Sequence, residues 1–446
     1  MSFPRYPEYK DSGVEWLREV PAHWGVKRLR FVADLNPSKS ELASFDRSFE
    51  VSFLPMEAIG DDGSLNLERT RPIGEVETGY TYFREGDVTV AKITPCFENG
   101  KGAVMRGLIS GVGFGTTELV VARPKATEAT SEYLHWLFIS RPFRQLGEAA
   151  MYGAGGQKRV PDEFVRNFAV AFPDVAEQGA IAAFLDHETA KIDALVAEQE
   201  KLIALLKEKR QAVISHAVTK GLNPDAPMKD SGIEWLGEVP AHWEVGLLKR
   251  FSDVLDCKHH TVQFLDEGLP IVSIRELRDD RIALNDAKLT SQDEWDFLRD
   301  GRVPQRGDMI FCRNASVGAV GYVDFDAPFC MGQDVCLIRS NSKSRFMHFQ
   351  LTSNFVRNQI EAFLVGATIR RANVEEIRGL LVTSPPVGEQ EVIAEFLMGA
   401  ITKFDALSAD AEKAIALLKE RRTALISAAV TGKIDVRGFA AAREAA

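Results

Sequence analysis

The chain has 446 residues, 45% of them apolar, and a formal net charge of −10. That length can bury roughly two or three cores, so several domains are expected. The acidic balance argues against a generic, sequence-independent nucleic-acid binder and leaves room only for local basic patches. No run approaches the ~18 apolar residues of a membrane span. The opening MSFPRYPEYKDSG lacks the basic and apolar regions of a leader, so a cytoplasmic protein without membrane contact is expected. Five cysteines (Cys96, Cys257, Cys312, Cys330, Cys336), odd in number and irregularly spaced, read as reduced thiols.

The first element, residues 1–24, carries KDSGVEWLREVPAHW (10–24), which returns as KDSGIEWLGEVPAHW (229–243) with 13 of 15 positions identical. Trp16, Val20, Pro21 and Trp24, and their counterparts Trp235, Val239, Pro240 and Trp243, read as a compact Trp/Pro clasp. His23 and His242 invite a catalytic reading. A hydrogen-bonded structural histidine between Pro and Trp is the stronger one.

Residues 25–173 read as a mixed α/β domain. Strands are expected at 51–59, 80–83, 87–93 and 117–124, and a helical segment interrupted at Pro142 over 131–151. The glycine-rich loop GAGGQKRV (153–160) follows, then a last strand, NFAVAFP.

From 174 to 221 the pattern changes to a long helix. At 4,3 spacing Ile181, Leu185, Glu188, Ile192, Leu195, Gln199, Leu202, Leu206, Lys209 and Val213 form one stripe, seven of the ten apolar. About forty residues at ~1.5 Å each reach about 60 Å, far beyond an ordinary globular helix.

The order then repeats: clasp (222–243), domain (244–386), long helix (387–432) and a tail (433–446). The second domain shows PIVSI (270–274), MIFCRN (309–314), DVCLIRS (334–340), a helical run (344–364), GATIRRANV (366–374) and LLVTSPP. The second helix repeats the stripe as Ile393, Leu397, Ala400, Phe404, Leu407, Ala411, Ala414, Leu418, Arg421 and Leu425. IALLKEKR (203–210) and IALLKERR (415–422) differ at one position. A narrow apolar seam is unstable alone, and its simplest partner is the other copy. The fold class is therefore α+β: two mixed α/β domains joined by a pair of long antiparallel, coiled-coil-like helices, with an internal pseudo-two-fold repeat. Clasps and helices are nearly copied while the domains differ, as in one machine with two different readers.

The order clasp, variable domain, P-x-x-x-EQ helix with LLKEKR, then the whole unit again, resembles the DNA-specificity subunit of type I restriction–modification systems. The resemblance covers essentially the whole chain, through EVPAHW twice and P-x-x-x-EQ twice (Pro173, Glu177, Gln178; Pro385, Glu389, Gln390). It implies two target-recognition domains, each reading one half of a split, non-palindromic site in double-stranded DNA, with the helices as a ruler for the spacer. It implies partners: two methyltransferase (modification) subunits and, for cleavage, restriction/translocase subunits. The chain itself would then be a non-catalytic part of a restriction endonuclease/adenine DNA methyltransferase. It would bind no cofactor, with S-adenosylmethionine, ATP and Mg2+ belonging to the partner subunits.

Candidate DNA contacts come from the residues themselves. Gln157, Lys158 and Arg159 flank the glycine-rich loop, and Arg370 and Arg371 occupy the equivalent loop, where backbone and cations could approach phosphates. Lys92 and Arg313 share a strand-end position, and Arg144 and Arg357 a helix position, from which Arg could read guanine. A solvated loop and ordinary surface cations are the structural alternatives.

Enzyme motifs fall short. GFGTTE (113–118) lacks the third glycine of a dinucleotide loop, and GAGGQK lacks P-loop spacing. SPP (384–386) has no following aromatic residue, as amino-methyltransferases have by resemblance. In GDVTVAK (86–92) Val90 stands where a metal-dependent nuclease needs a carboxylate. CKHH (257–260) lacks a second ligand pair. Besides the specificity subunit, a self-sufficient DNA enzyme and a coiled-coil protein-binding adaptor without DNA specificity are the alternatives.

Overall fold

The computed structural model describes residues 3–154, 156–278, 280–342, 344–364 and 371–439. Two compact units emerge: residues up to 199 together with those from 413, and residues 200–412. Each long helix crosses from one unit to the other, so each unit holds one end of both. The helices span Val175–Lys220 and Val387–Val430, within two residues of the ends that proline and glycine predict.

In the first unit an antiparallel sheet orders Ala33–Leu35, Leu119–Pro124, Val88–Ala91 and Gly102–Val104. A second sheet pairs Glu50–Leu54 in parallel with Val112–Gly115 and is flanked by Thr70–Pro72 and Thr81–Arg84. The second unit repeats the first layout strand for strand and the second in a three-stranded sheet. Ser252–Asp256, Val335–Ser340, Met309–Cys312 and Val320–Tyr322 form the antiparallel sheet, and Leu269–Val272 pairs in parallel with Cys330–Met331. The central strands are buried on both faces (Val88 to Ala91; Met309 to Cys312), which is why they read as apolar runs without alternation. The helical segment 131–151 breaks at Ser140, and Pro142 sits in the first turn of the following helix Arg141–Ala149. A proline there loses no hydrogen bond, so it opens a helix instead of interrupting one.

Each clasp joins the start of one long helix to the end of the other. In the first unit the hairpin Tyr9–Asp11/Glu19–Pro21 buries Val20 and Trp24 completely. Its His23 binds Glu177 at 2.8 Å, at the start of the first helix. Tyr9 Oη donates to the carbonyl of Gly432, past the end of the second, at 3.0 Å. In the second unit His242 binds Glu389 at 2.6 Å, and Trp243 packs over Gly221. Gly221 and Gly432 both adopt positive φ (76° and 71°), and a Cβ on Gly432 would run into Pro21. Both demands require glycine.

The helices meet antiparallel: Ile181, Leu185 and Ile192 share one core with Leu425, Ile426 and Ala429, while Ile214 and Val218 share another with Ile393 and Leu397. Most of the expected stripe faces inward, with Ile181, Leu185, Ile192, Ile393, Leu397, Ala411 and Leu425 buried, and the seam departs from it at three leucines. Leu195 (45% exposed), Leu202 (41%) and Leu407 (52%) point outward. Val196, Ile203, Arg210, Ser408 and Arg422 take the inward positions beside them. At Leu195/Val196 and Leu202/Ile203 two adjacent apolar residues compete for one inward position. Ion pairs across the helices accompany this choice, Arg422 to Asp193 at 2.9 Å and, in the other unit, Arg210 to Asp405 at 4.0 Å. Among the described residues no helix is long and apolar enough to cross a membrane.

Candidate nucleic-acid interface

The glycine-rich stretch of the first domain is a hairpin. Tyr152 and Arg159 exchange both main-chain hydrogen bonds, at 3.1 and 2.9 Å. Gly153 folds the chain back so closely that a Cβ there would lie 2.7 Å from the Gln157 carbonyl, so only glycine fits. The base is anchored twice. Thr94 N–H donates to the Lys158 carbonyl at 3.0 Å. Arg159 grips Glu118 through Nε and Nη2 at 2.9 and 2.7 Å. That grip holds the Glu118 carboxyl below the usual carboxylate range.

The candidate residues therefore separate by role. Gln157 and Lys158 are exposed at the hairpin tip, whereas Arg159 is tied down and orients the loop. Lys92 sits at the adjoining strand end; its main chain pairs with Glu118 and Val160, and its Nζ lies 3.8 Å from Asp162. Arg144 lies on the helix before the hairpin, donating from Nη1 to the Glu98 carbonyl at 2.9 Å. Tyr152, 64% exposed at the hairpin base, joins Gln157 and Lys158. Sequence reasoning missed it, although an aromatic residue directly before a glycine-rich loop was the available signal.

The second domain repeats the frame with other side chains. Asn314 bridges Arg371, Arg313 N–H donates to the Asp334 carbonyl at 2.8 Å, and Ala372 N–H to the Arg313 carbonyl at 2.8 Å. Arg371 lies 3.6 Å from Asp334, as Arg159 does beside Glu118. Arg370 lies outside the described residues. Arg313 is 3% exposed and ion-paired with Asp256, so it braces the strand end from inside rather than facing outward. A buried arginine beside a carboxylate satisfies the local charge, and it would be costly to withdraw. Arg357 lies 3.8 Å from Asp280 and is half-exposed.

His135 and His348, matched between the halves, are both pushed down to about 4, chiefly by burial. Asp256, Cys257 and His259 bring three possible ligand atoms within 4.8 Å of one another. Arg313 already neutralises Asp256, burial raises the Cys257 thiol, and Lys258 and His260 turn to Asp300 (2.9 Å) and Glu294 (2.7 Å). The CKHH run thus divides among separate partners. The arrangement of the hairpin, with rigid base and polar exposed tip, suits contact with a surface rather than covalent chemistry.

Residues 266–416 match the family model described as the type I restriction modification DNA specificity domain. The type I restriction enzyme EcoEI specificity subunit of Escherichia coli is 41% identical over 189 residues, 42% of this chain. The match spans 31% of that relative's length, less than a third. The putative type I restriction enzyme MjaX specificity subunit of Methanocaldococcus jannaschii is 22% identical over 440 residues, 94% of this chain and 96% of that one. A solved chain from work on complex assembly and conformational transition of the type I R-M system has the same fold. It superposes with a TM-score of 0.73 at 19% identity, over 92% of this chain and 98% of its own. The chain with its doubled clasp, doubled sheets and long paired helices is thus similar, in residues 266–416 and in the 41%-identical stretch, to DNA-specificity subunits of type I restriction–modification systems.

Proposed function

We propose that the chain is the sequence-recognition subunit of a type I restriction–modification complex acting on double-stranded DNA in the cytoplasm. Each recognition domain reads one half of a bipartite, non-palindromic site, and the paired helices set the spacer between the halves. The chain is non-catalytic. It recruits two methyltransferase subunits and, for cleavage, restriction/translocase subunits, and S-adenosylmethionine, ATP and Mg2+ bind those partners. One observation carries this reading. The same strand-end frame presents a hairpin with Tyr152, Gln157 and Lys158 in one half and different residues around Arg371 in the other. One scaffold with two different presented surfaces is what a split site of unlike halves needs. A protein-binding adaptor gains no support from the specificity-subunit matches.

The test exchanges residues 25–172 for the corresponding insert of a related protein and maps methylated bases genome-wide. One half-site should change and the other remain. Changes in both halves would remove the two-reader reading.

A further inference from the structure

In the first unit a cleft of about 670 Å3 opens between the helix Arg141–Ala149 and the C-terminal part of the second long helix. Four cations line it: Arg141 and Arg144 on one helix, Lys419 on the other, and Lys433 just beyond its end. Arg141 and Arg144 share a helix face, as do Lys419, Thr423 and Ser427 opposite. Among the described residues, none of the four cations has a carboxylate within 4.0 Å. Arg144 Nε is buried without any partner. Burial, then the neighbouring guanidiniums of Arg422 and Arg141, lower its pKa. Like charges crowded this way are relieved by an anion. Glu98, Glu148 and Glu420 also line the cleft, so its positive excess is small. That suits one or two phosphates of a chain held elsewhere better than a tightly bound free anion.

The second unit is an internal control. Asn354 stands where Arg141 stands, and Leu222 follows Gly221 where Lys433 follows Gly432. Arg357, the counterpart of Arg144, lies 3.8 Å from Asp280, which also accepts from Arg210 at 3.0 Å. There one of the protein's own carboxylates lies within 4.0 Å of the guanidinium, as none does beside the four cations among the described residues of the first unit. The cleft also borders the hairpin. Helix Arg141–Ala149 runs into Tyr152, and Thr94 Oγ1 lies 3.4 Å from Glu98 and 3.2 Å from the Lys158 carbonyl.

Resting on the DNA-reading role above, we propose that this cleft is a backbone-phosphate clamp belonging to the first domain alone. Arg141, Lys419 and Lys433 hold phosphates beside the bases that the hairpin faces. The clamp would make the long helix a DNA-contacting element as well as a spacer.

The test is the salt dependence of full-length protein binding to a duplex carrying its site. Each lost phosphate contact lowers the slope of log K against log [salt] by about 0.9. The double variant Arg141→Ala/Lys419→Ala should therefore lose about 1 to 2 from the slope and keep its preference between cognate and altered half-sites. Arg141→Lys/Lys419→Arg should retain the slope, which separates charge loss from misfolding. Lys207→Ala, at the helix position matching Lys419, should leave the slope unchanged. A double variant with the original slope, or an equal loss in Lys207→Ala, overturns the clamp alone. An unaltered protein with no salt-dependent DNA binding overturns the DNA-reading role and the clamp together.

Discussion

The imidazole Nε2 of His23 lies 2.8 Å from Oε2 of Glu177, and the pair recurs as His242 and Glu389 at 2.6 Å. The glutamate of each P-x-x-x-EQ motif thus receives the histidine of each EVPAHW motif. Two motifs more than 140 residues apart are halves of one latch.

The two latches differ in depth, which gives the first prediction. Glu177 is 6% exposed and also accepts from buried Tyr6 Oη at 2.8 Å; Glu389 is 31% exposed and accepts from Trp243 Nε1 at 3.1 Å. Glu177→Ala orphans the buried Tyr6 hydroxyl and Glu389→Ala the buried Trp243 indole N–H; the deeper Glu177 should cost about 2–3 kcal/mol and the more exposed Glu389 about 1–2 kcal/mol. Denaturant midpoints measure both, and equal losses would count against the burial argument.

A pH dependence follows from His348, whose ring is pushed down from 6.5 to about 4 by burial. The unfolded chain takes up this proton first as pH falls. The stability linked to the neutral ring is therefore full above about 6.5 and lost progressively down to about 4. The contribution is on the order of 3 kcal/mol. His348→Leu should flatten the fall of melting temperature across that window. An unchanged pH profile would show that the ring titrates normally.

Within the hairpin, side chains at the tip and at the base should behave differently. Lys158→Ala should weaken binding to all duplexes about equally and lower the salt slope by about 1. Gln157→Ala should relax discrimination at one base by about 1–3 kcal/mol. Glu118→Ala frees Arg159 and should impair discrimination without lowering the salt slope, since no cation is removed. Competition binding against substituted half-sites distinguishes the three.

The antiparallel seam sets a condition on any change of spacer. Four residues inserted after Ala204 lengthen that helix by ~6 Å. Unless four more follow Ala416 in the other helix, one of the two shared cores falls out of register. The matched insertion should give a protein whose methylated motif has a spacer longer by about one or two base steps at ~3.4 Å each. The single insertion should mainly lower the melting temperature. An unchanged spacer in the matched variant would end the ruler model.

Much of this architecture was legible in the sequence because repetition is a one-dimensional signal. Nearly identical copies at 10–24 and 229–243, and at 203–210 and 415–422, marked the clasps and helices before any coordinate. Proline and glycine punctuation placed the helix ends within two residues, and paired strand-end landmarks such as Lys92/Arg313 and Arg159/Arg371 proved equivalent in three dimensions. The short strands Gly102–Val104 and Val112–Gly115 escaped notice, being glycine-rich and held by their neighbours rather than by propensity.

By itself the sequence determined what is local or repeated: the number of halves, the long helices, the exposed glycine-rich loop and the polar residues around it. Only the tertiary structure decided which of Leu195 and Val196 faces inward, because the two are about equally apolar and only packing against the partner helix separates them. It also decided which cations are free. Arg313 at the end of an apolar strand and Lys158 in a glycine-rich loop are both basic, yet Asp256 folds against one and solvent surrounds the other. A charge's availability depends on what lies across from it in space, and that is a property of the fold.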